Sequence, residues 1–255
     1  MNIAPAVLIA ILGAQPQQAS APAQASATSI TGLPGRVLRD AGKLVTARTP
    51  LVTLLVGGAA ALAVHPADTA VERRLPKFGT VDETLDAGSA LGDGWVQWTT
   101  AGVVYGAGLV LRKPAVAEVG TRLLEAQVVA GVTTQLIKYA ADRRRPDGGS
   151  LSFPSGHTEA SFVTADTLAQ QFGWRVGALA YAAASCVSVS RLAEHQHYAS
   201  DVVFGAAVGI ASARATGLAH AGRRAAALGG FTIAPVVTRG GVGVFLTRGG
   251  TGTAW

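Results

Sequence analysis

Five apolar stretches of helical length, residues 51–64, 96–111, 123–137, 176–190 and 202–219, dominate this chain and contain few helix breakers. An all-α multi-helix bundle accounts for them. None is a clean run of the ~20 strongly apolar residues that a membrane crossing needs. Glu125, Gln127 and Arg214 also fall inside them. The pattern is compatible with spanning helices without requiring them.

Composition narrows the class. Hydrophobic residues make up 49% of the chain and charged residues 14%, against about 25% charged in an ordinary soluble domain. That balance points to a membrane or to a helix-rich core. Alanine, glycine, valine and leucine predominate while aromatics are 6%, which suits helices whose backbones approach through small residues. The net charge of +6 raises the question of nucleic acid. The basic residues, however, sit in short clusters beside apolar segments rather than in a stripe interleaved with aromatics, so no nucleic-acid partner is expected. Cys186 is the single cysteine; no intrachain disulfide can form, and its apolar setting reads as a buried, inert thiol.

The ends differ from the middle. Residues 1–27 have an apolar stretch at 3–12 followed by Ala-x-Ala sites at Ala21/Ala23, Ala23/Ala25 and Ala25/Ala27, which reads as a secretory signal even though no Lys or Arg precedes the stretch. Residues 28–42 read as a flexible tether, since the Ala, Gln, Ser and Pro around them bury too little to offset ordering entropy. Residues 43–228 form the single helical domain. In 229–255, alternating β-branched and aromatic residues flank Gly240-Gly241, a two-residue turn signal for a C-terminal β-hairpin.

Three short segments concentrate the unusual polar residues. In the first, Lys138 ends an apolar helix and Arg145 follows just before Pro146, which tends to stop a helix; both cations can then face one mouth. The bland reading makes Lys138, Arg143, Arg144 and Arg145 a solvated helix end or a positive flank of a membrane segment. In the second, Pro154 and Gly156 force a turn, Gly156 lets its amide approach an anion closely, and Ser155 adds a hydroxyl donor. His157 opens the next helix, as a general acid or merely as a capping or surface histidine. In the third, Asp201 lies four residues after His197, so on a helix its carboxylate can accept from one ring nitrogen and leave the other as nucleophile. Arg191 supplies a planar fork matched to phosphate oxygens. A phosphomonoester carries about −1.5 to −2 charge, which three cations with hydroxyl and backbone donors neutralise without a metal. Metal ligation by His157, His195, His197 and Asp201 is the rival reading.

The pattern K-x6-R-P, P-S-G-H, S-R-x5-H-x3-D over residues 138–201 resembles the phosphatidic acid phosphatase type 2 family, which includes bacterial acid phosphatases and vanadium haloperoxidases. The resemblance implies the helical bundle of that superfamily. It implies that His197 attacks phosphorus to form a phosphohistidine, that Asp201 orients it, and that His157 protonates the leaving alcohol. Lys138, Arg145, Ser155, Gly156 and Arg191 then bind the phosphoryl group, with no cofactor. Arg145 is preferred over Arg143 and Arg144 because it alone precedes proline, and His197 over His195 because it alone has Asp201 at the fourth position.

The expected activity is hydrolysis of lipid phosphate monoesters or pyrophosphates at a membrane of the cell envelope, with the site facing the periplasm or exterior. The alternatives are a soluble periplasmic acid phosphatase of broad specificity, a vanadate-dependent haloperoxidase, and a non-catalytic envelope protein that binds anionic lipid.

Overall fold

A computed structural model describes residues 32–75, 90, 92–227, 231–238 and 241–248, with side chains as far as residue 221. The leader assigned to 1–27 lies outside the described residues. The chain runs through α1 (Leu33–Thr46), α2 (Arg48–Val64), a 3₁₀ turn (His65–Ala67) and α3 (Asp68–Arg74). It continues through α4 (Gly94–Val110), α5 (Pro114–Ala141), α6 (Gly156–Phe172), α7 (Trp174–Ala193) and α8 (Ala199–Ala227). Strands β1 (Phe231–Thr238) and β2 (Gly241–Arg248) then pair antiparallel, Phe231 opposite Arg248 and Thr238 opposite Gly241. Gly241, read from the sequence as half of the turn, is therefore the first paired residue of β2.

The tether assigned to 28–42 needs correction, because α1 is helical from Leu33 onward. Its buried stripe is Arg36, Asp40 and Leu44, mostly charged and so invisible to hydrophobic periodicity. Arg36 gains its reason for burial from α5, where its Nε bonds Glu125. The other oxygen of Glu125 lies 2.7 Å from His220 Nε2 on α8. A buried ion pair with this extra partner is costly to break from one side, and it docks α1 onto the bundle.

Helix α8 is the centre of the bundle, packed against α1, α2, α5 and α6, while α7 lies on α6 and α4 on α5. Small residues let the backbones close up, as the composition predicts. A Cβ on Gly108 of α4 would stand 2.2 Å from the backbone nitrogen of Ala117 on α5, and one on Gly120 would stand 2.3 Å from that of Tyr105. Around these contacts Ala101, Val104, Val116, Val119, Leu123 and Leu168 form one apolar cluster.

The outward faces are apolar too. Leu55, Val56 and Leu62 of α2 and Leu179 and Val189 of α7 are exposed. Three helical stretches, Arg48–Arg74, Trp174–Ala193 and Ala199–Ala221, are long and apolar enough to cross a membrane. Cys186 shares such an outward face and is exposed, not buried. Its apolar neighbours in sequence belong to a helix whose other side packs on α6, so local hydrophobicity does not mean burial there.

Candidate active site

The site forms where the C-terminus of α5, the N-termini of α6 and α8, and the end of α7 meet. Lys138 sits in the last turn of α5, which ends at Asp142 in a left-handed conformation, φ 40°. The Lys138 ammonium donates to the carbonyl of Leu151 at 2.5 Å. Leu151 itself has φ 56°, a strained setting for a large L side chain of the kind that clusters at functional sites. That strain turns its carbonyl onto the lysine. Arg145 stands in a tight loop, its amide donating to Gly149 O at 2.8 Å and its Nε to Ser150 O at 3.0 Å.

Ser155 is the N-cap of α6, with Gly156 and His157 in the first turn. The amide of Ser155 donates to the Asp201 carbonyl at 3.0 Å, tying this turn to α8. Gly205, one helical turn beyond Asp201, keeps that contact open, since a Cβ there would stand 2.6 Å from Ser155 O. The Ser155 hydroxyl is buried and has no hydrogen-bond partner. A Cβ on Gly156 would come within 4.0 Å of Lys138 Cε, so the lysine stem lies over the N-terminus of α6. Free amides and the dipole there favour an anion.

Arg191, in the last turn of α7, is 2% exposed. Its Nη2 donates to both oxygens of Glu194 at 2.6 Å and its Nη1 to Gln196 Oε1 at 3.1 Å, while its Nε is buried without a partner. Two buried donors, Ser155 Oγ and Arg191 Nε, thus lack an acceptor, and unmet buried donors of this sort are costly. A phosphoryl group would supply the acceptors.

His197 is 3% exposed, on the connection into α8. Its Nδ1 faces Asp201 Oδ2 at 3.7 Å. Burial, and then the charges of Lys138 and Arg145, push its imidazole below the usual histidine range, against the opposing pull of Asp201; it is neutral and fit to act as a nucleophile near neutrality. His157 is pushed down to about 4 by burial, Arg191, His197 and Arg145, with Asp93 opposing. Lys138 is lowered to about 8, first by burial and then by Arg145, with Asp201 and Glu159 opposing. Lys138, Arg145, His157, Arg191, His197 and Asp201 thus act on one another electrostatically, with positive charge in excess.

Residues 120–224 match the model of the PAP2 superfamily. That stretch is similar to the PAP2 superfamily. The lipid A 1-phosphatase of Porphyromonas gingivalis is 40% identical over 95 residues, 36% of this chain and 20% of that protein, so the chain spans about a fifth of the relative's length. The crystal structure of a transmembrane PAP2-type phosphatidylglycerolphosphate phosphatase from Bacillus subtilis superposes with a TM-score of 0.55. The match covers 66% of this chain and 92% of that one at 24% identity, which shows the helical fold.

All eight residues assigned from the sequence lie inside the matched stretch, but several that hold them are new. Arg143, weighed in the sequence only as a competitor of Arg145 or a solvated cation, instead donates to Asp201 Oδ1 at 2.6 Å. Its other nitrogen donates to Asp68 Oδ2 at 2.8 Å. Arg144 is exposed. Ser152 donates to Asp201 Oδ2 at 2.5 Å, as does the Tyr198 amide at 2.9 Å. His195, the rival register for the nucleophile, has φ 55° and its Nδ1 lies 3.0 Å from Glu72 Oε1, drawing it toward α3. Glu159 is buried one turn into α6, and its carboxyl acts electrostatically on Lys138. Its position four residues after Ser155, on the face that meets α5, was the one signal in the sequence that could have flagged it.

Proposed function

We propose that this chain is a metal-independent phosphatase of lipid phosphate monoesters or pyrophosphates, acting through a phosphohistidine. The observation that carries the reading is the arrangement around His197: an imidazole kept neutral by burial, faced on Nδ1 by a fixed carboxylate, among Lys138, Arg145, Arg191 and the unpartnered Ser155 hydroxyl. His197 Nε2 forms a bond to phosphorus as the bond to the leaving oxygen breaks. His157 gives that oxygen its proton. Water then attacks the phosphohistidine, His157 takes a proton from it, and inorganic phosphate leaves. The cations and the α6 amides carry the charge that develops on the phosphoryl oxygens, which is the task a metal would otherwise perform.

A lipid substrate is favoured over a soluble one by what borders the site. An apolar cavity of about 500 Å³, lined by Gly58, Ala61, Leu62, Phe153 and Phe204, has in its wall Ser200 and the same Arg143 that donates to Asp201. The apolar outward faces of α2 and α7 suit a bilayer. The leader-like sequence of residues 1–27 supports a location at the cell envelope.

The test is phosphate release, in EDTA, from phosphatidic acid, an isoprenyl pyrophosphate and a soluble aryl phosphate, comparing the parent chain with His197→Ala. Release by the parent alone, fastest with a lipid, is expected. Equal release by the variant overturns the role of His197, and a requirement for added metal overturns the metal-free mechanism.

A further inference from the structure

Asp68 opens α3, far outside the matched stretch, yet it is 2% exposed and touches the first turn of α8. Its Oδ1 accepts the Ser200 amide at 2.9 Å, and its Oδ2 accepts the Ser200 hydroxyl at 2.5 Å and Arg143 Nη2 at 2.8 Å. His65 Nδ1 lies 3.1 Å from the same oxygen. Arg143 Nη1 meanwhile donates to the Ser200 hydroxyl at 2.7 Å and to Asp201 at 2.6 Å. One guanidinium is therefore shared by two buried carboxylates, and the second of them faces His197.

We propose that Asp68 is a positioning residue for catalysis, acting on His197 through Arg143 and Asp201. This rests on the reading of His197 as nucleophile given above. Two effects combine. Asp68 caps the start of α8 from another helix, satisfying an amide that has no partner within α8, and so fixes the turn that carries Asp201. It also takes up part of the Arg143 charge, leaving more of the negative charge of Asp201 to act on the imidazole. A cap alone would do only the first.

The two roles separate by charge. His197 faces Lys138 from α5, Arg145 from the following loop, His157 from α6 and Asp201 from α8; Asp68 faces Arg143 and His65. Removing the charge of Asp68 leaves all of Arg143 on Asp201, so His197 becomes harder to protonate. Removing Arg143 does the reverse.

The experiment measures kcat, KM and the pH dependence of kcat/KM for the full chain in detergent, with phosphatidic acid as probe. Variants are Asp68→Asn, Asp68→Glu, Arg143→Gln and Asp201→Asn. Asp68→Asn is expected to lower kcat about tenfold with KM little changed and to move the acid limb to lower pH. Arg143→Gln should move that limb to higher pH, and Asp68→Glu should restore it. In the Asp201→Asn background, Asp68→Asn should cost nothing further. A limb that stays in place in both charge variants, or losses that multiply in the double variant, would show a cap and no more. Should Asp68→Asn not fold, Asp68→Asn in the Arg143→Gln background, where no guanidinium is left without its second carboxylate, decides: a limb that matches that of Arg143→Gln is expected, and a further shift would show that Asp68 does not act through Arg143. If the parent chain releases no phosphate, the reading of His197 falls, and this inference with it.

Discussion

The Nδ1 atom of His197 stands 3.7 Å from Asp201 Oδ2, farther than the Arg143, Ser152 and Tyr198 donors that hold the same carboxylate at 2.6, 2.5 and 2.9 Å. The carboxylate is thus a fixed post, and the imidazole is the partner with room to close as positive charge develops on it. Asp201→Asn would remove that charge and set an amide N–H among donors. We expect kcat to fall on the order of 10⁴-fold, by analogy with the carboxylate of serine-protease triads. KM should stay within a few fold, because no phosphate contact is lost. A KM effect as large as the kcat effect would place Asp201 in substrate binding instead.

Ser155 sets function against stability. Its hydroxyl is buried and unpartnered, and such a group costs about 1–3 kcal/mol. Ser155→Ala should unfold at the same or a higher temperature than the parent, while inorganic phosphate inhibits it about tenfold less well, one lost hydrogen bond being worth roughly 1.4 kcal/mol per tenfold. A clear fall in Tm would mean that Ser155 supports the fold rather than the ligand.

The difference between what the sequence disclosed and what it concealed lies in the range of the interactions. Helices α2, α4, α5, α7 and α8 are legible because apolar runs of helical length mark them, with breakers such as Pro146 and Gly173 between. The His197–Asp201 pair is legible because an i,i+4 spacing on a helix start fixes which side chains can meet. Arg143 was not, since its partners Asp201 and Asp68 lie 58 and 75 residues away, and a charged residue in an arginine run carries no mark of which member turns inward. The ordering of α1 was hidden in the same way, by the Arg36–Glu125 pair 89 residues apart. Cys186 misled because an apolar neighbourhood looks alike whether it faces the core or a lipid phase.

Anion binding should bring a proton with it. His157 is held down to about 4 by burial and by Arg191, His197 and Arg145, so near pH 6 it is neutral and not by itself an acid. A dianion among those cations cancels their effect and raises the imidazole toward its ordinary value, making it a proton donor only when substrate is present. Sulfate, which has no titratable proton of its own near neutrality, is the suitable probe. Calorimetry in buffers of different ionisation enthalpy should show proton uptake by the parent chain and much less by His157→Ala. Equal uptake in both would assign the proton to another group.

Glu159 gives the fold a pH dependence of its own. It is 4% exposed, and burial pushes its carboxyl from 4.5 up to about 8, against smaller lowering effects of Thr134 and Lys138. The folded chain therefore keeps a proton that the unfolded chain releases above 4.5. The contribution to stability is fully present below 4.5 and is lost as pH rises toward about 8. At roughly 1.4 kcal/mol per pKa unit, the cost in the folded state reaches the order of a few kcal/mol. Glu159→Gln keeps the volume and a neutral group but cannot ionise. Thermal unfolding in detergent should place parent and variant close together near pH 4, with the variant gaining steadily up to about pH 8. A difference that stays constant across that range would mean that the folded protein holds Glu159 as a carboxylate, in which case it is the counter-ion of Lys138 and the lysine is less available to phosphate.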